Sequence, residues 1–350
     1  SMFLDKKIYV DELNNVISLD FINWERLKDT SILISGACGL IGSYLIDVIM
    51  KANAVRKINC KVYALGRNTE KAYDRFEKYW NDSNFCFFEG DINESIYIDV
   101  SRIDYVIHLA SNTHPKAYAT YPIDTITTNI IGTKNMLDFA EQHSCRRFLF
   151  SSSCEIYGEN RGDVEKFDEQ YLGYIDCNTL RAGYPESKRC GEALCQAYIS
   201  QKNMNIVIAR LSRIFGPTML MNDSKALSQF IKNSIKGEDI VLKSDGKQYY
   251  SYLYVADAVT GILDILLNGK NGEAYNVSDE QCDIRLRELA ELIAKITDTK
   301  VVYALPDEVE NRGFSKATKA RLENEKIKKI GWKVTFPLPM AIKNTIEILK

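Results

Sequence analysis

The chain has 350 residues, long enough for one large α/β unit or two joined lobes with a sizeable core. Its 45% hydrophobic and 26% charged residues exclude a disordered or fibrous class. With 45 Lys+Arg against 47 Asp+Glu, the net charge of -2 supplies no global field for nucleic acid or an anionic membrane surface, so neither is an expected partner and any anionic ligand must be met locally.

Residues 1–30 mix polar and apolar positions and end in Trp24, Leu27 and Asp29, the pattern of an N-terminal helical arm. From Ser31 onward short β-rich runs alternate with helical stretches. The predicted strands are Ser31–Ser35, Lys61–Leu65, Phe85–Glu89, Tyr105–Leu109, Arg147–Ser151 and Asn205–Arg210, and helical spacing covers Asn129–His143 and Pro185–Gln201. This is the sequence form of an α/β fold, a Rossmann-type doubly wound parallel sheet, over residues 31–210.

Past Gly216-Pro217 the order loosens. Helices are predicted near Lys225–Lys236, Leu286–Ile296 and Pro339–Leu349, and strands near Ile240–Lys243 and Val301–Tyr303. Residues 211–350 therefore read mainly as a smaller α+β substrate-binding lobe, partly interleaved with the first. No run approaches 18 apolar residues and no basic start leads into an apolar stretch, so membrane spanning and secretion are not expected. Nine cysteines without a CxxC pair suit reduced cytoplasmic thiols. His108, His114 and His143 match no metal-ligand spacing, and no metal is expected.

The run Ser35-Gly36-Ala37-Cys38-Gly39-Leu40-Ile41-Gly42 follows the first strand and opens a helix. Its glycines allow a tight turn and close backbone approach, and the helix N-terminus offers free N–H groups to a pyrophosphate, so Gly36, Cys38, Gly39, Leu40, Ile41 and Gly42 are expected to line a dinucleotide. The end of the second strand reads Leu65-Gly66-Arg67-Asn68. No carboxylate stands there for a ribose 2′-OH, and Arg67 can pair with a 2′-phosphate or simply cover the adenine face; the first favours NADP over NAD. Asp91, followed by Ile92, can accept the adenine amine or serve as a turn carboxylate. Leu109, Ala110 and Ser111 end the fourth strand on the carboxyl edge, where ligands bind in open α/β sheets.

Tyr184 and Lys188 stand four residues apart, hence on one helix face. A nearby ammonium favours phenolate, which lets Tyr184 exchange a proton with a substrate hydroxyl as hydride moves to or from a nicotinamide. Upstream, Ser151-Ser152-Ser153 ends the fifth strand with hydroxyls on the same edge, although such runs also serve simply as loop starts.

The glycine loop, the His-Leu-Ala turn, Asn129 with Gly132-Thr133, the Ser-x-x-x-Tyr-Gly run, Tyr-x-x-x-Lys and Phe215-Gly216-Pro217 occur in one order, and later come Tyr254-Val255-Ala256-Asp257 and Gly331-Trp332. Over about residues 30 to 350 the chain resembles the extended short-chain dehydrogenase/reductases, specifically the NAD-dependent nucleotide-sugar epimerase, dehydratase and decarboxylase family. The resemblance implies an NAD(P)-dependent enzyme acting by hydride transfer on a nucleotide-diphosphate sugar. It implies Tyr184 as acid/base, Lys188 on the nicotinamide ribose, and Ser153 as the partner hydroxyl with Ser152 beside it toward substrate. It also adds Asn129 and Ser151 to the cofactor lining, and implies a homodimer paired through the helices near Asn129–His143 and Pro185–Gln201.

Three departures bear on the reaction. Dehydratases of this family carry Asp-Glu where this chain has Cys154-Glu155, and a thiol is a poor general acid at neutral pH. Decarboxylases keep the Glu and add an Arg at the position of Tyr250, an Arg that also contacts the diphosphate in many relatives. Arg213 stands where relatives usually have Asn, and it can either replace that phosphate contact or sit in a salt bridge. The expected outcome is epimerase-like oxidation and re-reduction at one carbon. The alternatives are a UDP-glucuronate decarboxylase-like or 4,6-dehydratase-like enzyme using Glu155, an NADPH-dependent reductase of a nucleotide-activated sugar, and a non-catalytic NAD(P)-binding regulator.

Overall fold

The computed structural model describes residues 2–111, 119–219, 225–304 and 318–350. Strands β1 (Ser31–Ser35), β2 (Lys61–Gly66), β3 (Phe85–Glu89), β4 (Tyr105–His108), β5 (Arg147–Ser153) and β6 (Ile206–Leu211) match the six β-rich runs within two residues at each end. Shorter strands follow as β7 (Arg213–Phe215), β8 (Ile240–Leu242), β9 (Tyr249–Tyr254), β10 (Ala274–Val277), β11 (Asp283–Arg285), β12 (Val301–Tyr303) and β13 (Lys319–Ala320).

The main sheet has seven parallel strands in the order β10-β6-β5-β4-β1-β2-β3. The order reverses between β1 and β4, which opens a crevice at their carboxyl ends, the standard ligand position in such sheets. Strand β10 comes from far along the chain and closes the sheet beyond β6. A smaller sheet, with β9 between β11 and β13 and with β7 also paired to β9, stands past that same edge.

The inner strands of the main sheet are buried along most of their length, as parallel strands covered on both faces must be, while the edge strand β3 is only partly covered. The helix Leu40–Arg56 starts at the glycine loop, and the helices Pro122–Gln142 and Gly183–Lys202 pack side by side. The helix Val255–Asn268 is buried from Val255 to Leu267, in keeping with its mostly apolar sequence, and its polar Asp257, Thr260 and Asp264 are buried with it. Asp257 on this helix receives the Thr335 and Phe336 N–H groups at 2.7 and 3.0 Å, while Trp332 Nε1 donates to the Asp257 carbonyl at 3.1 Å. The late Asp257 and Trp332 features thus fasten the C-terminal segment. An amide at 257 can accept only one of the two N–H groups and turns its NH₂ toward the other. Asp257→Asn is therefore expected to cost about 1–3 kcal/mol, read as a lower urea midpoint; an unchanged midpoint would strip the cap of its stabilising role.

The arm contains the helix Lys7–Ile17, and its buried Glu12 accepts from Tyr44 (2.9 Å), Tyr254 (2.7 Å) and Asn344 (2.8 Å). One carboxylate thereby joins the arm, the glycine-loop helix, β9 and the last helix. Among the described residues no helix is long and apolar enough to cross a membrane. All nine cysteines are free thiols. His143 stacks on Phe139 at 4.0 Å, and His114 lies outside the described residues.

Candidate active site

Gly36 has φ +67°, and a Cβ there would meet the Ala110 nitrogen at 2.9 Å. A Cβ on Gly42 would fall 2.2 Å from the Gly36 carbonyl oxygen, so this glycine is what lets the helix start directly on the loop. Gly39 is the N-cap of that helix and supplies no side-chain cap, which leaves first-turn N–H groups facing the crevice between β1 and β4. The Leu40 carbonyl accepts from Thr218 at 2.7 Å, and Cys38, Leu40 and Ile41 pack against the core. This cradle fits a dinucleotide pyrophosphate: the backbone can be approached closely, and open donors converge at a helix N-terminus.

The wall opposite is built from β4. Ser35 Oγ accepts the Leu109 and Ala110 N–H groups at 3.0 and 3.1 Å, so it donates to His108 Nδ1 at 2.7 Å. His108 Nε2 then carries the proton and donates to Thr133 at 3.2 Å. Burial, and secondarily the Lys188 charge, hold His108 down at about 3, so it is a neutral strut. The Leu109 and Ala110 N–H groups are thus used by the protein itself, at the carboxyl edge where these residues are expected to line the cofactor. Asn129 spends both ends of its amide: Ser111 donates to it at 2.9 Å and it donates to Ser187 at 2.9 Å, which ties the end of β4 to the turn between Tyr184 and Lys188.

At the end of β2, Arg67 is exposed and Asn68 caps the helix Thr69–Phe76 through the Lys71 N–H. A carboxylate does reach this corner, but from the adjacent strand: Glu89 accepts from the Thr69 N–H and hydroxyl at 3.1 and 3.2 Å. That contact was not readable from the run around Arg67, because it depends on the β2–β3 register that sets Gly66 beside Glu89. Asp91 accepts from the backbone and side chain of Asn93 at 2.9 and 3.0 Å, the turn role weighed beside adenine binding. Ile92 is buried in the core against Gly132.

The helix Gly183–Lys202 carries Tyr184 and Lys188, both buried. Lys188 Nζ donates to the Ser151 carbonyl at 2.8 Å and lies 6.0 Å from the Tyr184 ring centroid and 5.1 Å from that of Phe150. Burial lowers Lys188 to about 8, opposed by the Glu192 charge. Tyr184, Lys188 and the end of β5 are thus brought together as expected. Ser153 accepts the Glu155 N–H at 3.1 Å and caps the 3-10 turn Cys154–Tyr157. Glu155 is half-buried beside it. Burial pushes the Cys154 thiol up, away from acid duty.

Ser152 is placed otherwise than expected. Strand alternation turns it away from Ser151 and Ser153, and its hydroxyl donates to Glu192 at 2.6 Å rather than facing substrate. Tyr250 and Arg213, the two departures, are in contact: the Arg213 guanidinium lies 3.9 Å over the Tyr250 ring, and Tyr250 shares a hydrogen bond with Thr318 at 2.9 Å. The β7–β9 pairing makes this possible, since it sets Arg213 beside Tyr252 and thus two residues from Tyr250. Among the described residues Arg213 has no carboxylate partner, although Cys154 and Glu155 lie within its electrostatic reach.

Comparison with known proteins bears on this arrangement. Residues 32–278 match the NAD dependent epimerase/dehydratase family. UDP-glucuronic acid decarboxylase 1 of Xenopus tropicalis is 32% identical over 324 residues, covering 91% of this chain and 72% of that protein, and UDP-glucuronic acid decarboxylase 5 of Arabidopsis thaliana is 32% identical over 80% of each. In fold the chain is similar to UDP-glucose 4-epimerase of Thermotoga maritima (TM-score 0.76, 22% identity, 91% of this chain and 98% of that one). It is likewise similar to dTDP-glucose 4,6-dehydratase of Bacillus anthracis (TM-score 0.73, 19% identity, 91% and 96%). The chain belongs to the NAD-dependent epimerase/dehydratase family, and it is an enzyme of that family.

Proposed function

We propose that the protein oxidises and re-reduces one carbon of a nucleotide-diphosphate sugar, with Tyr184 as the acid/base and epimerisation as the net result. The observation that carries this reading is the buried Lys188 ammonium, pinned to the Ser151 carbonyl beneath Tyr184 at the strand end that bears Ser153. The bound dinucleotide supplies a hydride acceptor and donor. Tyr184, its phenolate favoured by Lys188, takes the sugar hydroxyl proton as the carbon is oxidised and returns it when the ketone is reduced. Ser153 donates to the same oxygen, Lys188 also meets the nicotinamide ribose, and the glycine loop with Asn129 orders the cleft. Arg213, which has no carboxylate partner among the described residues, pairs with the diphosphate in place of the Arg that Tyr250 replaces.

A second reading, decarboxylation of a nucleotide-activated sugar acid, is favoured by the Arg213–Tyr250 contact: it returns a guanidinium to the position of that missing Arg, within reach of Glu155. The UDP-glucuronic acid decarboxylase relatives point the same way. Incubation with nucleotide-activated hexoses and hexuronates separates the two. An epimer without loss of carbon supports the first, carbon dioxide release supports the second, and no product from either class overturns both.

The proposed cofactor is NADP. Arg67 is exposed and unpaired among the described residues, whereas Glu89, the carboxylate nearest that strand end, is already engaged by Thr69. NADP is expected to raise the melting temperature more than NAD, with Arg67→Ala removing the difference; larger stabilisation by NAD would overturn the assignment. A homodimer in a cytosolic setting completes the reading, supported by the exposed Ile123, Ile126 and Ile131 on the helix Pro122–Gln142 and by the free thiols.

A further inference from the structure

Successive residues of β5 hold successive turns of the catalytic helix. The Ser151 carbonyl takes Lys188, and the Ser152 hydroxyl takes Glu192. Lys188 and Glu192 are four residues apart and so lie one above the other on one helix face. Glu192 is held in turn by a two-point contact with Arg210 on β6, Nη2 to Oε1 at 2.8 Å and Nε to Oε2 at 3.1 Å. Arg210 also donates to Tyr157 Oη at 3.0 Å and to the Glu169 carbonyl at 3.1 Å, and Tyr157 donates to Asn276 on β10 at 2.6 Å. The carboxylate one turn beyond Lys188 is therefore held directly from β5 by Ser152 and from β6 by Arg210, whose guanidinium is itself fixed by Tyr157 and the Glu169 carbonyl.

We propose that Glu192, locked by Ser152 and Arg210, is a positioning residue for the Tyr184–Lys188 pair: it fixes the turn that presents the ammonium and supplies its fixed counter-charge. This rests on the acid/base reading of Tyr184 and Lys188. The groups facing Lys188 are Glu192 and the Cys195 thiol from its own helix, neutral His108 from β4, and the rings of Phe150 and Tyr184. Among these Glu192 is the anion, and it works against the burial that discharges Lys188. Removing its charge weakens the ammonium, so the Lys188 ionisation moves to lower pH.

The test is the pH profile of kcat/KM for the cofactor-loaded enzyme. Glu192→Gln is expected to shift the limb governed by Lys188 to lower pH by on the order of half a unit, about threefold in rate at a fixed pH on that limb, and Glu192→Asp to return it. Ser152→Ala, which strips one donor from the carboxylate and leaves both charges, is expected to shift that limb slightly upward; it decides the matter if Glu192→Gln does not fold. A limb that stays in place in these variants, with only the melting temperature lowered, would reduce Glu192 to a structural ion pair. Full activity of Tyr184→Phe would instead remove the acid/base reading beneath the proposal.

Discussion

Tyr184→Phe is expected to slow hydride transfer about 10²–10⁴-fold while leaving cofactor affinity, KM and fold nearly unchanged. The ring is buried on a helix fixed to β5 through Lys188 and to the end of β4 through Ser187 and Asn129, so the helix stays anchored in the variant. Under the proposed function, what is lost is the proton acceptor of the pair. Lys188 can steer a phenolate but is itself a donor to the Ser151 carbonyl, and the carboxylate beside Ser153 is Glu155, two residues along the chain. A variant that binds cofactor as tightly as the natural chain and yet turns over at an undiminished rate would assign the proton transfer elsewhere, with Glu155 first in line.

Gly42→Ala is expected to have the next largest effect. Its Cβ would stand 2.2 Å from the Gly36 carbonyl oxygen and 3.1 Å from the Ala37 Cα, both backbone atoms that cannot rotate aside. Overpacking of this kind costs about 1–3 kcal/mol, and relief requires the loop to back away from the helix start that it caps. Cofactor binding should therefore fall more than stability does, seen as loss of the thermal shift produced by the dinucleotide. Gly39→Ala meets the same oxygen only at 3.3 Å and should be milder. Equal cofactor affinity in Gly42→Ala and the natural chain would mean that the loop is not the pyrophosphate cradle.

Much of the architecture is written locally. Six strands announce themselves as β-rich runs between turn residues, and Tyr184 and Lys188 fall on one face wherever a helix forms. The predicted helix Asn129–His143 begins at Pro122 instead, because Thr125, Thr128 and Asn129 are polar residues buried by tertiary contact, which hides the helical stripe. Strand β10 escaped notice for a similar reason. It has four residues, and its buried Asn276 looks like a turn residue until its amide is seen donating to the Phe167 and Glu323 carbonyls and accepting from Tyr157. A run of three serines conceals the alternation of the strand, which sends the middle one, Ser152, to Glu192. The Arg213–Tyr250 stack and the Glu89 cap depend on strand register, which no local pattern carries.

The central claim is that this site moves hydride between a sugar carbon and a bound nicotinamide. The direct measurement follows a nucleotide-activated sugar deuterated at the carbon to be oxidised, mixed with cofactor-loaded protein and quenched within one turnover. Deuterium should appear in the bound cofactor of the natural chain and be nearly absent with Tyr184→Phe. Product formed with all label still on its original carbon, and none on the cofactor, would mean that the site works without redox chemistry.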